Sequence, residues 1–381
     1  MSVTTTGTDV DPNGYLVTVS GTSVSQLLPV NGTVTISNLA PGEYGVELTD
    51  ASVNCPIVDR PSRQVAVRST ETTSVGFSVV CEPAATIAFA SDRAGEFDIY
   101  TVKANGTALT RLTVHPASDS WPLWSPSRRL AFRSWRGGEP DHWVMDADGD
   151  NKRRLTFGQL VNGFAEWSPD GRTLAFYSDG GKMAVSLVQA DGGGLRVLEP
   201  LTDTPWPFRL AWSPDGAWLA LTKRVNSEPV ISGLKIYRIR VDGSERQRIT
   251  DSAVDDFAPD WSPDGSTIAF TKGTSVVTMD PDGSNQVALA EGIMPRWSPD
   301  GEWLAFTSNR TGRSEIYVIR RDGTDERQLS DGGGSEPAWS PVGDVLAYHG
   351  EGDIFAVRAD GTNRSRLTIH PAVDKRPSFR P

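Results

Sequence analysis

The sequence predicts an all-β protein in which a small antiparallel β-sandwich precedes a seven-bladed β-propeller. The propeller is predicted from one repeat whose parts can be counted independently. A strand of the pattern Ile/Leu-Ala-Phe, with small variations, begins at Ile87, Leu130, Leu174, Leu219, Ile268, Leu304 and Leu346. Asp-Gly or Asn-Gly turns place their glycines at Gly106, Gly149, Gly192, Gly243, Gly283, Gly323 and Gly361. Aromatic anchors stand at Trp124, Trp167, Trp212, Trp261, Trp297, Trp339 and, in the seventh place, Phe379.

A repeat of about 42 residues accommodates the four short strands of a propeller blade. The first blade begins at Ile87 without an anchor strand of its own, and we expect Arg376-Pro377-Ser378-Phe379 to supply that strand. This arrangement closes the ring and leaves no open sheet edge. Four blades carry Ser-Pro-Asp-Gly between their first two strands, where Pro fixes φ and Gly accepts the left-handed conformation. We expect each anchor tryptophan to pack between neighbouring blades.

Residues 1–84 form the predicted sandwich and residues 85–381 the propeller. The first part contains short segments of alternating polar and apolar residues, such as 15–19 and 44–48, separated by turns rich in Pro, Asn and Gly. Such segments are typical of a small antiparallel sandwich.

The two cysteines, Cys55 and Cys81, both lie in this first part and are expected to form a disulfide. Two reduced, buried thiols are the alternative. A disulfide would close a loop of about 26 residues and suits an oxidising compartment. We therefore expect a periplasmic or extracellular protein whose signal peptide has been removed.

Composition excludes several classes of partner. The formal net charge is -11, and the Lys and Arg residues are scattered along the chain, which disfavours nucleic acid and anionic lipid as ligands. No stretch approaches the roughly 18 to 20 consecutive apolar residues that span a bilayer. We expect a monomer without a membrane span.

The run Asn38-Leu39-Ala40-Pro41-Gly42-Glu43-Tyr44 resembles the L-x-P-G-x-Y turn of prealbumin-like and carboxypeptidase-regulatory-like sandwich modules, which implies a spacer or adhesive role. The W-S-P-D-G and D-G-x-x-x-x-R-L-T pattern over residues 87–381 resembles the WD-like propeller repeats of the TolB family. That resemblance implies a non-enzymatic periplasmic propeller that binds partner proteins and extended peptides at its face and channel. TolB-like proteins have six blades, so the seven counted here depart from the family pattern. Similar repeats occur in prolyl-oligopeptidase-like and oligogalacturonate-lyase-like proteins, so the repeat predicts fold better than activity.

Motifs of catalysis are missing from the sequence. A prolyl-oligopeptidase-type enzyme needs a G-x-S-x-G nucleophile elbow and a hydrolase domain of roughly 200 further residues, and neither is present. The motifs H-E-x-x-H, C-x-x-C and G-x-x-x-x-G-K are also missing. We therefore predict no catalytic residue and no cofactor.

The four histidines are the candidates for a metal site. His115, His142, His349 and His370 map to one face of the propeller and to blades seven, one and two. Gathered together, these imidazoles could hold a transition metal, with Asp119 or Asp374 as a further ligand or base. The alternative is that His115 and His370 cap turns and that His142 points into a layer between blades. No metal is predicted.

Acidic residues shortly before the anchor strands predict a ligand-binding channel mouth. They are Asp119, Asp255, Asp256, Glu291, Glu336 and Asp374. A partial ring of carboxylates would attract a cationic ligand, and Trp121 and Trp206 nearby would add stacking surface. Solvation of turns explains the acids equally well. The predicted ligand-binding residues at the propeller face and channel mouth are His115, Asp119, Trp121, Trp206, Asp256, His370 and Asp374.

The segment Asp9-Val10-Asp11-Pro12-Asn13-Gly14 has the ligand spacing of the first half of a calcium-binding loop. Its twelfth position is Ser20 instead of the bidentate Glu, and no helix pattern flanks it. An ordinary turn is therefore the prediction.

The sequence predicts one function and leaves one alternative open. The first is an exported, non-enzymatic binding or scaffold protein that presents the propeller's loop face and channel to a protein, peptide or glycan. The alternative is a metal-dependent, polysaccharide-processing enzyme that uses the histidine-bearing face. A purely structural role stays open as well.

Overall fold

The computed structural model describes residues 1–11, 13–58, 60–158, 164–179, 183–201, 209–225 and 233–381. This part of the chain contains 34 β-strands and no α-helix, so it has no helix long and apolar enough to cross a membrane. The first six strands are β1 (Ser2–Gly7), β2 (Tyr15–Val19), β3 (Ser25–Leu28), β4 (Gly42–Thr49), β5 (Ser62–Val67) and β6 (Gly76–Cys81).

The first six strands form two sheets around a small core. One sheet has the antiparallel order β3-β2-β4-β5, and the other is the pair β1-β6. Tyr15, Val17, Leu48 and Phe77 lie in the core because alternate side chains of each strand point to the same face. The prediction of an antiparallel arrangement is wrong for β1 and β6, which run parallel. Parallel neighbours need a long connection, and here almost the whole N-terminal part separates the two strands.

The structure contains the disulfide Cys55–Cys81, and both cysteines are buried in this core. In the chain-entropy model a loop of this length gains about 3 kcal/mol from the cross-link.

We expect the double variant Cys55→Ser/Cys81→Ser to lose about 2–5 kcal/mol of stability in the N-terminal part. Differential scanning calorimetry with and without a thiol reductant measures the loss. Reductant should lower a transition of the wild type and leave the variant unchanged; a wild type indifferent to reductant would contradict the expectation.

The remaining 28 strands form seven antiparallel sheets of four strands, which follow one another along the chain as blades 1 to 7. Blade 1 comprises β7 (Thr86–Ala94), β8 (Glu96–Lys103), β9 (Thr110–Arg111) and β34 (Asp374–Phe379). Blade 2 comprises β10 (Asp119–Trp124), β11 (Leu130–Ser134), β12 (Asp141–Met145) and β13 (Arg153–Arg154). Blade 3 comprises β14 (Ala165–Trp167), β15 (Thr173–Asp179), β16 (Met183–Gln189) and β17 (Arg196–Pro200). Blade 4 comprises β18 (Ala211–Trp212), β19 (Trp218–Val225), β20 (Gly233–Arg240) and β21 (Arg246–Arg248). Blade 5 comprises β22 (Asp256–Trp261), β23 (Ile268–Lys272), β24 (Ser275–Met279) and β25 (Val287–Glu291). Blade 6 comprises β26 (Ile293–Trp297), β27 (Trp303–Ser308), β28 (Glu315–Arg320) and β29 (Arg327–Gln328). Blade 7 comprises β30 (Ser335–Trp339), β31 (Val345–Gly350), β32 (Asp353–Arg358) and β33 (Ser365–Arg366).

The ring is closed by the last strand of the chain, as predicted. β34 pairs antiparallel with β7, with Phe379 opposite Ile87 and Asp374 opposite Ser91. Phe379 packs against Val345 and Ile354 of blade 7. Blade 1 therefore receives its innermost strand from the end of the chain.

The anchor tryptophans join each blade to the one before it. Trp167 of blade 3 packs on Ala131 and Val144 of blade 2, and its indole nitrogen donates a hydrogen bond to the Leu123 carbonyl oxygen at 3.2 Å. Trp212 and Trp339 donate in the same way to the carbonyl oxygens of the preceding inner strands. Each anchor thus buries a large apolar surface between two sheets.

A second repeated feature holds the outermost strand of a blade to the strand beside it in the same blade. In blade 1, Asp98 accepts hydrogen bonds from Arg111 and from the Thr113 hydroxyl group. Blades 2 and 7 repeat this arrangement with Asp141 and Asp353 as the acceptors. The Arg and Thr of the R-L-T pattern are therefore structural residues.

The N-terminal part contacts the face of the propeller that carries the glycine turns. Asp9 pairs with Lys103 at 2.6 Å, and the Val53 carbonyl oxygen accepts a hydrogen bond from Arg358 at 2.9 Å. Asp11 accepts from the backbone amides of Asn13 and Ser52, which agrees with a turn instead of a calcium loop. Pro12 of this segment lies outside the described residues. We call this the turn face; the opposite face, on which the innermost strands begin, is the open face.

Candidate functional site

The centre of the propeller is a channel whose wall is built from the innermost strands. It encloses a cavity of about 380 Å³. In five blades the innermost strand carries a β-bulge at the sequence x-Pro, and the residue before the proline has a left-handed φ between 52° and 60°. These five residues are Trp121, Ala258, Met294, Glu336 and Arg376. Bulges re-aim side chains, and left-handed backbone at bulky residues is uncommon, so this is a constrained feature of the channel.

Six charged side chains line the channel among the described residues, three of them arginines and three carboxylates. Arg296 lies 3.4 Å from Asp260 and 3.9 Å from Glu166. Arg376 lies 2.9 Å from Glu336. Each of these contacts joins two different blades. The sixth charged group, Arg209, has no carboxylate within 4 Å in this part of the structure.

Burial shapes the charge states of these groups. Desolvation raises the pKa of both Glu166 and Asp260, and the nearby arginines oppose that shift. Burial opposes the charge of Arg296, yet Asp260 and Glu166 raise its pKa. Burial lowers the pKa of Arg209 to about 9, with repulsion from Arg296 as a further cause. Glu166 and Asp260 partly oppose that shift, although neither forms an ion pair with Arg209 among the described residues.

Aromatic rings lie beside the arginines on one side of the channel. The guanidinium of Arg376 lies 3.3 Å from the ring centre of Trp121, and Trp121 contacts Phe164 edge-on at 4.8 Å between ring centres. Arg209 and Arg376 each lie 5.3 Å from the ring centre of Phe164. Trp121 is therefore at the channel, as predicted, but its ring is already in contact with Arg376. Trp206 lies in residues 202–208, outside the described residues.

The three strand-leading acids are not where the sequence analysis expected them. Asp119, Asp256 and Asp374 are fully buried instead of lining an open channel mouth. Asp119 pairs with Arg136 at 2.5 Å and Asp374 with Arg93 at 2.6 Å, while Asp256 accepts from the Ser252 hydroxyl group at 2.7 Å. The predicted open position of these three side chains is therefore wrong, whereas their role in ligand binding stays a prediction.

The cause is the position of these acids before the bulge. Each begins its innermost strand, and its partner comes from the same blade or from the connection just before the strand. Burying an unpaired carboxylate is costly, so the pairing accounts for Arg93 near the end of β7 and for Arg136 in the loop that follows β11. These acids are therefore assigned to blade structure.

The four histidines occupy separate environments. The Nδ1 atoms of His115 and His370 accept hydrogen bonds from the amides of Ala117 and Ala372, which is the turn-capping alternative. His142 is buried and contacts Phe176 edge-on, with 5.0 Å between the ring centres, and His349 Nδ1 lies 3.3 Å from the Ser335 hydroxyl group.

No group of three or more His, Cys, Asp or Glu side chains in the described part of the chain is arranged to hold a metal.

The open face carries exposed apolar side chains on three adjacent blades. The residue that follows R-L-T is Val114 in blade 1, Phe157 in blade 2 and Ile369 in blade 7, exposed by 73%, 64% and 80%. The corresponding residues of blades 4 and 6 are the exposed acids Asp251 and Asp331. We call Val114, Phe157 and Ile369 the apolar arc. The apolar arc was not predicted, although the residue after R-L-T varies visibly from blade to blade in the sequence.

These features define a closed all-β propeller with a charged channel and one face free of the N-terminal part. Residues 81–232 and 273–381 match the family model described as the TolB beta propeller domain, so the chain belongs to the TolB β-propeller family. No curated protein matches the chain.

Solved structures share the fold at low sequence identity. TolB from Acinetobacter baumannii is 16% identical with a TM-score of 0.52, over 91% of this chain and 81% of that one. An oligogalacturonate lyase in complex with manganese is 17% identical with a TM-score of 0.58, over 76% of this chain and 86% of that one. A puromycin-hydrolyzing peptidase from Mycobacterium tuberculosis is 15% identical with a TM-score of 0.58, over 72% of this chain and 50% of that one. At such identities the likeness concerns the fold alone.

Proposed function

We propose that this chain is an exported, non-enzymatic binding protein that docks a protein partner on its open face through the apolar arc. The observation that carries the proposal is the exposure of Val114, Phe157 and Ile369 at equivalent places of three adjacent blades. Exposed apolar groups gathered on one part of a surface mark interaction sites. The acidic side of the same face, with Asp251 and Asp331, would orient the partner.

The position of the N-terminal part supports this proposal. Its contacts through Asp9 and Val53 lie on the turn face, so it leaves the open face accessible. Residues 1–84 then act as a spacer, and residues 85–381 as the binding unit. The buried Cys55–Cys81 disulfide supports export to an oxidising compartment, for which we propose the periplasm or the extracellular space.

The test is a triple variant, Val114→Ser/Phe157→Ser/Ile369→Ser, compared with the wild type in cross-linking of the exported protein fraction. Losing about 1 kcal/mol at each site would weaken binding about 100-fold or more, so the cross-linked partner should disappear. Val342→Ser is the matched control, since Val342 is 74% exposed but belongs to a turn on the other face. Partners recovered equally by the wild type and the triple variant would refute the role of the arc.

A further inference from the structure

Among the described residues, one of the six charged side chains of the channel forms no ion pair. Arg296 is held by two of the three carboxylates, Asp260 and Glu166, and Arg376 is held by the third, Glu336. Arg209 contacts the ring of Phe164 and is attracted by Glu166 and Asp260, but it forms no ion pair within 4 Å among the described residues. Its side chain is half-buried and lines the cavity, so the guanidinium reaches the open space of the channel.

An unpaired guanidinium in such a place is costly unless something else compensates its charge. Burial penalises an isolated cation, and the depressed pKa of Arg209 reflects that penalty together with repulsion from Arg296. The planar guanidinium matches a carboxylate by two parallel hydrogen bonds, and such charge-assisted bonds are the strong ones. A carboxylate brought from outside would supply the direct ion pair that the described residues do not give Arg209.

The rest of the cavity determines what the carboxylate is attached to. Apolar side chains, among them Leu123, Ala165 and Ala338, line it together with Phe164 and Trp121. Its volume of about 380 Å³ is in the range of small-molecule sites. Glu166 and Asp260 would repel a second negative charge on the ligand. The walls therefore favour an apolar body with a single acidic group.

We propose that the channel is a binding site for a small monocarboxylate with a flat apolar body, whose carboxylate pairs with Arg209 and whose body lies against Phe164. This site is separate from the apolar arc and does not depend on the docking of a protein partner. It makes Arg209 a specificity-determining residue of the channel.

The test is isothermal titration calorimetry of the full chain with 2-naphthoate, its neutral counterpart 2-naphthamide and the cation 2-naphthylmethylammonium. We expect the naphthoate to bind and the other two to bind at least about tenfold more weakly, since about 1.4 kcal/mol corresponds to a factor of ten. Arg209→Gln should weaken naphthoate binding about tenfold or more. Glu166→Gln should strengthen it, because a competing negative charge is removed.

Arg327→Gln is the matched control, since Arg327 lies over Trp303 on an outer strand and not in the channel. The affinity of the Arg327→Gln variant for 2-naphthoate should equal that of the wild type. Arg209 makes no ion pair with another described residue and its burial is costly, so its replacement by the neutral Gln should not lower the thermal midpoint. Absence of naphthoate binding to the wild type, equal binding of naphthamide, or an unchanged affinity in a folded Arg209→Gln variant would each overturn the proposal.

Discussion

Replacing Trp167 by Ala should lower the free energy of unfolding by about 3–5 kcal/mol, which is the usual cost of removing a buried aromatic side chain. Trp167 fills the space between blades 2 and 3, and its indole also satisfies the Leu123 carbonyl oxygen. The loss thus combines a cavity with an unpaired acceptor. Chemical denaturation followed by circular dichroism measures it.

Two further variants calibrate this result. Trp167→Phe should cost less, because Phe379 fills the equivalent place in blade 1. Trp135→Ala should have a small effect, because Trp135 is only half-buried and its ring contacts Arg133 at the surface of its blade. Equal losses for Trp167→Ala and Trp135→Ala would show that the anchors do not carry the packing between blades.

The second large effect is a dependence of stability on pH that originates at His142. This side chain is buried, its Nε2 atom has no hydrogen-bond partner among the described residues, and desolvation, with Arg133 nearby, lowers its pKa to about 3. The unfolded state, with a pKa near 6.5, binds more protons below that pH. Folding therefore loses about 1.4 kcal/mol of stability per pH unit as the pH falls from about 6.5 toward about 3.

The variant His142→Ile should remove this loss, because Ile99 and Ile316 occupy the equivalent place in blades 1 and 6. Unfolding by urea at several pH values measures the free energy of unfolding of the wild type and of the variant. The contributions of the carboxylates, which both proteins share, cancel in the difference between the two free energies. The advantage of the variant should grow steadily as the pH falls below about 6.5. Parallel stability curves over this range would show that His142 is not the origin. The reciprocal change Ile316→His should create a similar sensitivity to acid.

The fold was largely predictable because several features of the repeat each give the number of blades independently. Trp, Asp-Gly and Ile/Leu-Ala-Phe recur once per blade, and the missing anchor of the first blade pointed to Phe379. The direction of β1 was not predictable, since a strand's partner is set by packing across the whole N-terminal part. Local alternation of polar and apolar residues predicts a strand and does not identify its neighbour.

The candidate site was less predictable than the fold. Asp119 and Asp374 are in the right strands, but the bulge that follows them turns other side chains toward the channel. The signal for those side chains was the proline two residues before the anchor, as in Trp121-Pro122-Leu123-Trp124. Arg209 carries no such signal, because its blade has no proline at that position and its importance depends on pairings made by other blades.

The pairing of β34 with β7 also sets the order of events during synthesis. Phe379 lies opposite Ile87, so nearly three hundred residues must leave the ribosome before the first blade can be completed. Until then blade 1 presents an unpaired edge, and blade 7 lacks the side chain that covers it. Contacts between such distant residues form late, because a long loop must close first. The ring of blades therefore cannot be completed until β34 has been synthesised.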